Sequence, residues 1–192
     1  MSALPRIVIL PGNGCDGDEQ DLRASNFYGW AADAFTARGF PDVRLRCMPD
    51  PLEARSRFWL PFIEQELEAD ATTVLIGHSS GAVAALRVAE RRRLRGLVLV
   101  AAYENPLGDA GEAASGYFDA AFDWAAIVAN CGFVVQFAGE RDRLVPLAEQ
   151  LKVAAGLGDA ARLVRLPRRD HFFEPPFPEL LAEVQAGIER KG

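Results

Sequence analysis

Six short apolar runs alternate with longer helical segments along these 192 residues. The runs lie at residues 6–10, 43–47, 73–76, 96–100, 133–137 and 161–166. Most of them are rich in Val, Ile, Leu and Phe without strict alternation, which is typical of strands covered on both faces. The helical segments lie at residues 28–38, 52–69, 80–93, 123–130, 146–155 and 178–190. This alternation predicts an α/β fold with one parallel sheet, helices on both of its faces, and right-handed crossovers.

The composition is that of an ordinary soluble protein and limits the possible functions. Apolar residues make up 49% and charged residues 25% of the chain, with no linker or repeat, so we expect one domain over residues 1–192. The net charge of −6 argues against a nucleic-acid surface. A basic run, Arg91 to Arg93 with Arg95, stands where a predicted helix ends, and cations stabilise a helix dipole there.

The cysteines and the hydropathy of the chain predict its location in the cell. Cys15, Cys47 and Cys131 are odd in number and widely spaced, which favours neither a disulfide framework nor a zinc site. A reducing cytoplasm fits such cysteines best. No apolar run approaches the roughly 20 residues that span a bilayer, and the beginning of the chain lacks the pattern of an export signal. We therefore expect a cytoplasmic protein without a membrane partner.

The segment Gly77-His78-Ser79-Ser80-Gly81 stands between the third apolar run and the helix that follows it. A serine in such a strand-to-helix turn holds its hydroxyl out beside free helix amides, which favour an oxyanion. Gly77 and Gly81 have no side chains to clash where the backbone passes close to its neighbours. Small residues recur in many turns, so the motif gains its weight from the strand and helix around it. We predict that Ser79 is a catalytic nucleophile.

A serine hydroxyl needs a base to remove its proton, and the chain contains only two histidines. His78 is fixed inside the motif, beside the serine. His171, which follows the sixth apolar run, is therefore the predicted base. Taken alone, His171 is more simply a surface histidine on a loop; its position after a strand of the same sheet favours catalysis.

Three carboxylates could orient the imidazole of His171. Asp142 and Glu140 follow the fifth apolar run, and Asp170 adjoins the histidine. Neighbouring side chains in an extended loop point apart, which disfavours Asp170. We favour Asp142 over Glu140 because its shorter side chain stands further along the loop toward the site. The chain order serine, aspartate, histidine is that of the α/β-hydrolase triad.

Two backbone N–H groups are predicted to form an oxyanion hole. One belongs to Ser80, and the other to Asn13 in the glycine-rich loop after the first apolar run. That loop could instead cradle a phosphate, but it lacks the G-x-G-x-x-G spacing and the G-K-[ST] ending of nucleotide sites. Cys15 in the same loop is a candidate second nucleophile, although no separate base remains for it. Either Phe172 or Phe173, directly after the predicted base, is a candidate for lining an acyl pocket.

Seven short sequence motifs, spread over nearly the whole chain, occur here together. They are Pro11-Gly12-Asn13-Gly14, Tyr28-Gly29-Trp30, Met48-Pro49-Asp50-Pro51, Trp59-Leu60-Pro61-Phe62, Ile76-Gly77-His78-Ser79-Ser80-Gly81-Ala82, Ala114-Ser115-Gly116-Tyr117-Phe118 and Asn130-Cys131. In these motifs the chain resembles the small retinoblastoma-binding-protein-type serine hydrolases, an α/β-hydrolase family without a large lid domain. The resemblance implies a six-stranded, mostly parallel sheet in the order 2-1-3-4-5-6. Matched residue by residue, it implies Ser79 as nucleophile, Asp142 as acid and His171 as base.

Two stretches depart from that family. The family's namesake partner is bound through an L-x-C-x-E segment, and residues 67–71 here lack both the cysteine and the final glutamate. Binding to a retinoblastoma-type pocket is therefore not expected. The loop over residues 15–26 is longer and more acidic than the family's, with Asp16, Asp18, Glu19 and Asp21, and is placed to cover part of the site and alter substrate choice.

The leading hypothesis is a serine hydrolase that cleaves a small ester, amide or aminoacyl bond through an acyl-enzyme on Ser79, without a metal or organic cofactor. Two alternatives use the same fold. One is a non-catalytic binding or scaffold protein, and the other is an acyltransferase with the same three residues. Short connections between the predicted elements favour an open site for a small-molecule acyl substrate. The sequence defines neither the substrate nor the oligomeric state.

Overall fold

The computed structural model describes residues 4–190 and contains one six-stranded sheet. Its strands are β1 (Arg6–Leu10), β2 (Val43–Leu45), β3 (Thr73–His78), β4 (Gly96–Val100), β5 (Val134–Gly139) and β6 (Ala161–Leu166). They lie in the order β2-β1-β3-β4-β5-β6, and all five pairings are parallel. The predicted order is confirmed. Because every strand runs the same way, all carboxyl ends meet at one edge, where sites form in such sheets.

Eight α-helices connect and cover these strands in the described part of the chain. They are α1 (Glu19–Ala24), α2 (Tyr28–Ala37), α3 (Ser56–Gln65), α4 (Ser80–Ala89), α5 (Ala110–Ala114), α6 (Trp124–Asn130), α7 (Leu147–Leu157) and α8 (Pro178–Arg190). Within residues 4–190, none is long and apolar enough to cross a membrane.

The four inner strands of the sheet, β1, β3, β4 and β5, are buried on both faces because their successive side chains enter two different cores. Ile7 and Ile9 of β1 belong to the core beneath α2 and α8, and Val8 and Leu10 belong to the core beneath α3 and α4. Each of these four side chains is at most 1% exposed. Burial of apolar surface on both faces explains why these strands appear as continuous apolar runs.

The helix predicted at residues 52–69 was too long, since α3 covers Ser56–Gln65. The backbone adopts positive φ at Ala54 (49°) and at Glu68 (51°), so the helical hydrogen-bond ladder cannot continue through either residue. At the far end, the Leu67 N–H donates to the Phe62 oxygen over 3.0 Å and closes the last turn. Neither positive-φ residue is glycine, so nothing in the pattern marks these ends.

The helix predicted at residues 80–93 ends earlier, at Ala89. The backbone N–H groups of Arg91 and Arg92 both bond to the Val88 oxygen, which closes the helix in a turn. Their guanidinium groups pair with Glu64 of α3 at 2.7 and 3.1 Å. The basic run therefore ties the end of α4 to its neighbour on the same face of the sheet.

Two short helices were missed, and both lie near the carboxyl edge of the sheet. Asp18 caps α1 by accepting the N–H groups of Gln20 and Asp21. Asp109 caps α5 in the same manner, accepting the N–H of Glu112 over 2.9 Å. An acid followed three residues later by another acid is a recognised helix start, so both could have been found.

Candidate active site

Ser79 occupies the turn from β3 to α4 in a conformation that few residues adopt. Its φ is 54° and its ψ −123°, and its N–H donates to the Val100 oxygen over 3.0 Å. A methyl group at Gly77 would collide with the Gly81 backbone, and one at Gly81 with the Pro11 oxygen. The two glycines are thus required by close packing, and the turn holds a strained serine at the carboxyl edge.

His171 and Asp142, from the loops after β6 and β5, are in direct contact. His171 Nδ1 lies 2.8 Å from Asp142 Oδ2, and both residues are less than a tenth exposed. The other carboxylate oxygen of Asp142 accepts the N–H groups of Leu144 and Val145, each over 2.9 Å. The Gln150 amide approaches Oδ2 at 3.4 Å. Since these donors fix the carboxylate, the imidazole is held with Nδ1 toward Asp142 and Nε2 available for a second partner.

The two other candidate acids do not contact the imidazole. Glu140 pairs with Arg165 at 2.9 Å. Asp170 accepts the N–H of Phe173 over 3.4 Å and remains exposed. Among the three carboxylates weighed from the sequence, the structure brings Asp142 to His171.

A cavity of about 320 Å³ at the carboxyl edge is lined by both Ser79 and His171. The Ser79 hydroxyl makes no hydrogen bond within residues 4–190, and contacts of this kind often tighten only when substrate binds. Of the two phenylalanines after the predicted base, Phe173 lines the cavity and is 44% exposed. Phe172 is fully buried and packs on Phe177, so it belongs to the core.

The two predicted oxyanion donors lie close to the serine. A methyl group at Gly12 would stand 3.2 Å from Ser79 Cβ, so the loop after β1 passes directly over the serine. The N–H groups of Gly12 and Gly14 are engaged with Tyr28 and Pro51. In contrast, the N–H groups of Asn13 and Ser80 meet no acceptor within residues 4–190.

A buried polar chain behind the serine was missed from the sequence. Gly12 N–H donates to the Tyr28 oxygen over 2.8 Å, and that hydroxyl lies 2.6 Å from His78 Nδ1. His78 Nε2 lies 2.9 Å from the backbone oxygen of His171. Burial, together with His171 nearby, holds the pKa of His78 well below its usual range, and burial raises the pKa of Tyr28. The sequence shows these tyrosine and histidine side chains, but their contacts with one another arise only when the chain folds.

Glu112 of α5 was also missed, and it approaches the predicted oxyanion loop. One of its carboxylate oxygens accepts the Ser80 hydroxyl at 3.3 Å and the Asn13 side-chain amide at 3.5 Å. Burial raises the pKa of Glu112 above the usual range for a glutamate. The helix-capping pattern at Asp109 could have located this residue near the site.

The remaining predictions around the site have mixed outcomes. Burial raises the pKa of Cys15, which disfavours a thiolate nucleophile. The segment predicted as a loop over residues 15–26 contains α1, and its last residue, Asn26, lines the cavity. All three cysteines are free. Within residues 4–190, no three His, Cys, Asp or Glu side chains gather in a way that could hold a metal ion.

Comparisons with known proteins find relatives of this chain in sequence and in fold. The model of the serine hydrolase family matches residues 29–174. The serine hydrolase RBBP9 of Rattus norvegicus is 40% identical over 186 residues, which cover 97% of each chain. The ydeN gene product of B. subtilis superposes with a TM-score of 0.82 at 22% identity, over 96% of this chain and 99% of that one. A putative yden-like hydrolase from Pectobacterium atrosepticum gives a TM-score of 0.64 at 20% identity, over 97% and 91% of the two chains.

The sheet order, the strained serine at the β3–α4 turn and the match over most of the chain lead to one assignment. The chain belongs to the serine hydrolase family, in its RBBP9-type group, and has the α/β-hydrolase fold.

Proposed function

We propose that the protein hydrolyses small esters, amides or aminoacyl bonds through an acyl-enzyme on Ser79. The observation that carries the proposal is the contact of His171 Nδ1 with Asp142 Oδ2, at 2.8 Å, beside a cavity that Ser79 also lines. Membership of the serine hydrolase family supports the same reaction class.

In the first step, the Ser79 oxygen attacks the substrate's carbonyl carbon while His171 Nε2 takes the hydroxyl proton. Asp142 stabilises the imidazolium that forms and keeps Nδ1 protonated in the resting imidazole. The carbonyl oxygen becomes negative and accepts the N–H groups of Asn13 and Ser80. Each donor of this kind contributes about 2.7–4 kcal/mol in enzymes where one has been removed.

In the second step, the bond between the carbonyl carbon and the leaving atom breaks, and His171 returns its proton to that atom. The Ser79 ester remains. Water then attacks the ester with His171 again as base, and the acid is released with Ser79 restored. These steps use protein groups and water alone.

The size of the cavity supports small substrates. A volume of about 320 Å³ is at the lower end of ordinary small-molecule sites. Leu107 and Leu144 give the cavity apolar lining, and Asp109 and Glu112 are acidic residues of the same lining. A short acyl group fits this space, and a cytoplasmic location fits the three free cysteines.

Pre-steady-state hydrolysis of 4-nitrophenyl acetate tests the proposal. We expect a burst of nitrophenol of about one equivalent, followed by slower turnover, because the acyl-enzyme accumulates. Ser79→Ala removes both phases. Ser56→Ala, on α3 and outside the cavity lining, is the matched control and keeps them. A folded Ser79→Ala protein that still shows the burst would contradict the proposal.

A further inference from the structure

A second cleft opens beside the active-site cavity and carries a concentration of arginines. It has a volume of about 540 Å³. Arg141 and Arg143 flank Asp142 in the loop after β5, and Arg168 comes from the loop after β6. All three residues are exposed. The cleft therefore places three cations at one end of the site.

These three guanidinium groups have no partners within residues 4–190, whereas their neighbours do. Arg165 pairs with Glu140 at 2.9 Å, and Arg169 donates to the Glu174 oxygen at 2.6 Å. A planar guanidinium presents several N–H donors that match a carboxylate or phosphate. The donors of the cleft are therefore free for an external anion.

The charge in the cleft contrasts with that of the whole protein. Asp170 is the one acidic residue of the lining, and it accepts the Phe173 N–H at 3.4 Å. Three cations face one carboxylate there, while the chain as a whole carries −6. Because the protein as a whole is acidic, small anions concentrate at this positive cleft rather than elsewhere on the surface.

The cleft adjoins the active-site cavity, since the two spaces have three lining residues in common. Leu144, His171 and Phe173 line both spaces. Leu144 is 59% exposed and Phe173 is 44% exposed, so both offer apolar surface to a bound molecule. His171 returns its proton to the leaving atom in the proposed reaction, so the departing group lies on the histidine's side of the site.

We propose that the cleft of Arg141, Arg143 and Arg168 binds an anionic group on the leaving portion of the substrate. This inference rests on the proposed hydrolase function and specifies its substrate class. The preferred substrates join a small acyl group to an alcohol, phenol or amine that has an apolar body and ends in a carboxylate or phosphate. The apolar body contacts Leu144 and Phe173, and the anion meets the arginines.

A matched pair of esters tests this specificity. Both 4-acetoxybenzoate and methyl 4-acetoxybenzoate transfer an acetyl group, and they differ in the charge at the far end of the phenol. The measurement is the ratio of their kcat/KM values in the native protein and in the triple variant Arg141→Gln, Arg143→Gln, Arg168→Gln. Comparing ratios removes the difference in intrinsic reactivity between the two esters.

We expect the triple variant to lower the ratio, anionic over neutral, about tenfold, as for the loss of one or two exposed charge-assisted contacts. The control variant Arg38→Gln, Arg93→Gln, Arg190→Gln removes the same charge at exposed positions. Arg38 and Arg93 follow α2 and α4, and Arg190 is the last residue of α8, so all three lie toward the opposite edge of the sheet. It should change the ratio by less than about twofold, because charges beyond a Debye length are screened. An unchanged ratio in the cleft variant, or an equal fall in the control, would overturn the inference.

A second pair separates the two sides of the substrate. In the pair 4-nitrophenyl hemisuccinate and its neutral methyl ester, only the hemisuccinate is charged, and its carboxylate lies on the acyl side. The cleft variant should leave the kcat/KM ratio of this pair unchanged. A fall confined to this pair would overturn the assignment to the leaving group. If the native protein hydrolyses none of these esters, the proposed ester hydrolysis fails, and binding of 4-hydroxybenzoate by calorimetry decides the inference alone. Binding that the cleft variant loses upholds the anion site, and no binding by native protein overturns it.

Discussion

His78 Nε2 lies 2.9 Å from the backbone oxygen of His171, so the histidine beside the serine holds the loop that carries the predicted base. A carbonyl oxygen only accepts, so Nε2 carries the proton and Nδ1 accepts the Tyr28 hydroxyl over 2.6 Å. The Tyr28 oxygen in turn accepts the Gly12 N–H over 2.8 Å. One neutral imidazole therefore joins the loop after β1, the serine turn and the histidine loop.

Replacing Tyr28 by phenylalanine should weaken this chain. The buried His78 Nδ1 and Gly12 N–H both lose a partner, and we expect the free energy of unfolding to fall by about 1–3 kcal/mol. Activity should fall as well, because Gly12 precedes the proposed oxyanion donor Asn13. Urea unfolding and kcat/KM give the two values. Tyr117→Phe is the matched control, since the buried Tyr117 hydroxyl has no partner within residues 4–190, and its removal should not destabilise the protein.

Stability should depend on pH through His78. The pKa of His78 is lowered by burial and by His171, so the folded protein keeps this imidazole neutral while the unfolded chain takes up a proton near pH 6.5. The unfolded state then binds more protons, and the free energy of unfolding falls as the pH drops below about 6.5, by at most about 1.4 kcal/mol per pH unit. Urea unfolding from about pH 8 to about pH 5 measures the slope.

Nitrogen-15 NMR of the histidine side chains tests the origin of that slope. His78 should remain neutral in the folded protein at about pH 5, with its proton on Nε2. A His78 ring that protonates near pH 6.5 while the protein stays folded would contradict the buried neutral network.

Asp142→Asn should lose activity without losing the fold. An amide can still accept the N–H groups of Leu144 and Val145, but it no longer stabilises the imidazolium or enforces the tautomer of His171. We expect kcat to fall by about a thousandfold or more, with an unchanged circular dichroism spectrum. Glu140→Gln and Asp170→Asn remove the two other carboxylates that the sequence offered as partners of His171, and each should retain activity within a few-fold. Loss of activity in either control, with Asp142→Asn active, would reassign the acid.

Neutralising Glu112 and neutralising Glu149 should change the stability of the protein in opposite directions. Burial raises the pKa of Glu112, so its ionised form opposes folding at neutral pH, and Glu112→Gln should increase stability at about pH 8. This gain should shrink as the pH falls and the native carboxyl takes up its proton. Hydrogen bonds from Lys152 and Asn105 lower the pKa of Glu149, so Glu149→Gln should instead reduce stability slightly. The change in Tm of each variant relative to the native protein, measured at about pH 8 and at about pH 4.5, gives the sign of each effect. A change in Tm that is equal at both pH values would contradict the predictions.

Some parts of this protein were predictable from the sequence because their signals are local. The strands β1, β3, β4 and β5 were found since each is a buried apolar run, and the turn that carries Ser79 was found since Gly77 and Gly81 give it a recognisable form. The ends of α3 were not predicted, because Ala54 and Glu68 adopt positive φ without being glycine. The contacts of Tyr28 with His78 and of Glu112 with Ser80 and Asn13 join segments far apart in the chain, and only the fold brings them together.

The central claim is that Ser79 is a nucleophile activated by His171. Its most direct test is the intact mass of the protein after treatment with a fluorophosphonate probe, compared for the native chain, Ser79→Ala and His171→Ala. The account predicts a single adduct on the native protein and none on either variant. A native protein that stays folded and unlabelled, or an adduct that persists in Ser79→Ala, would contradict it.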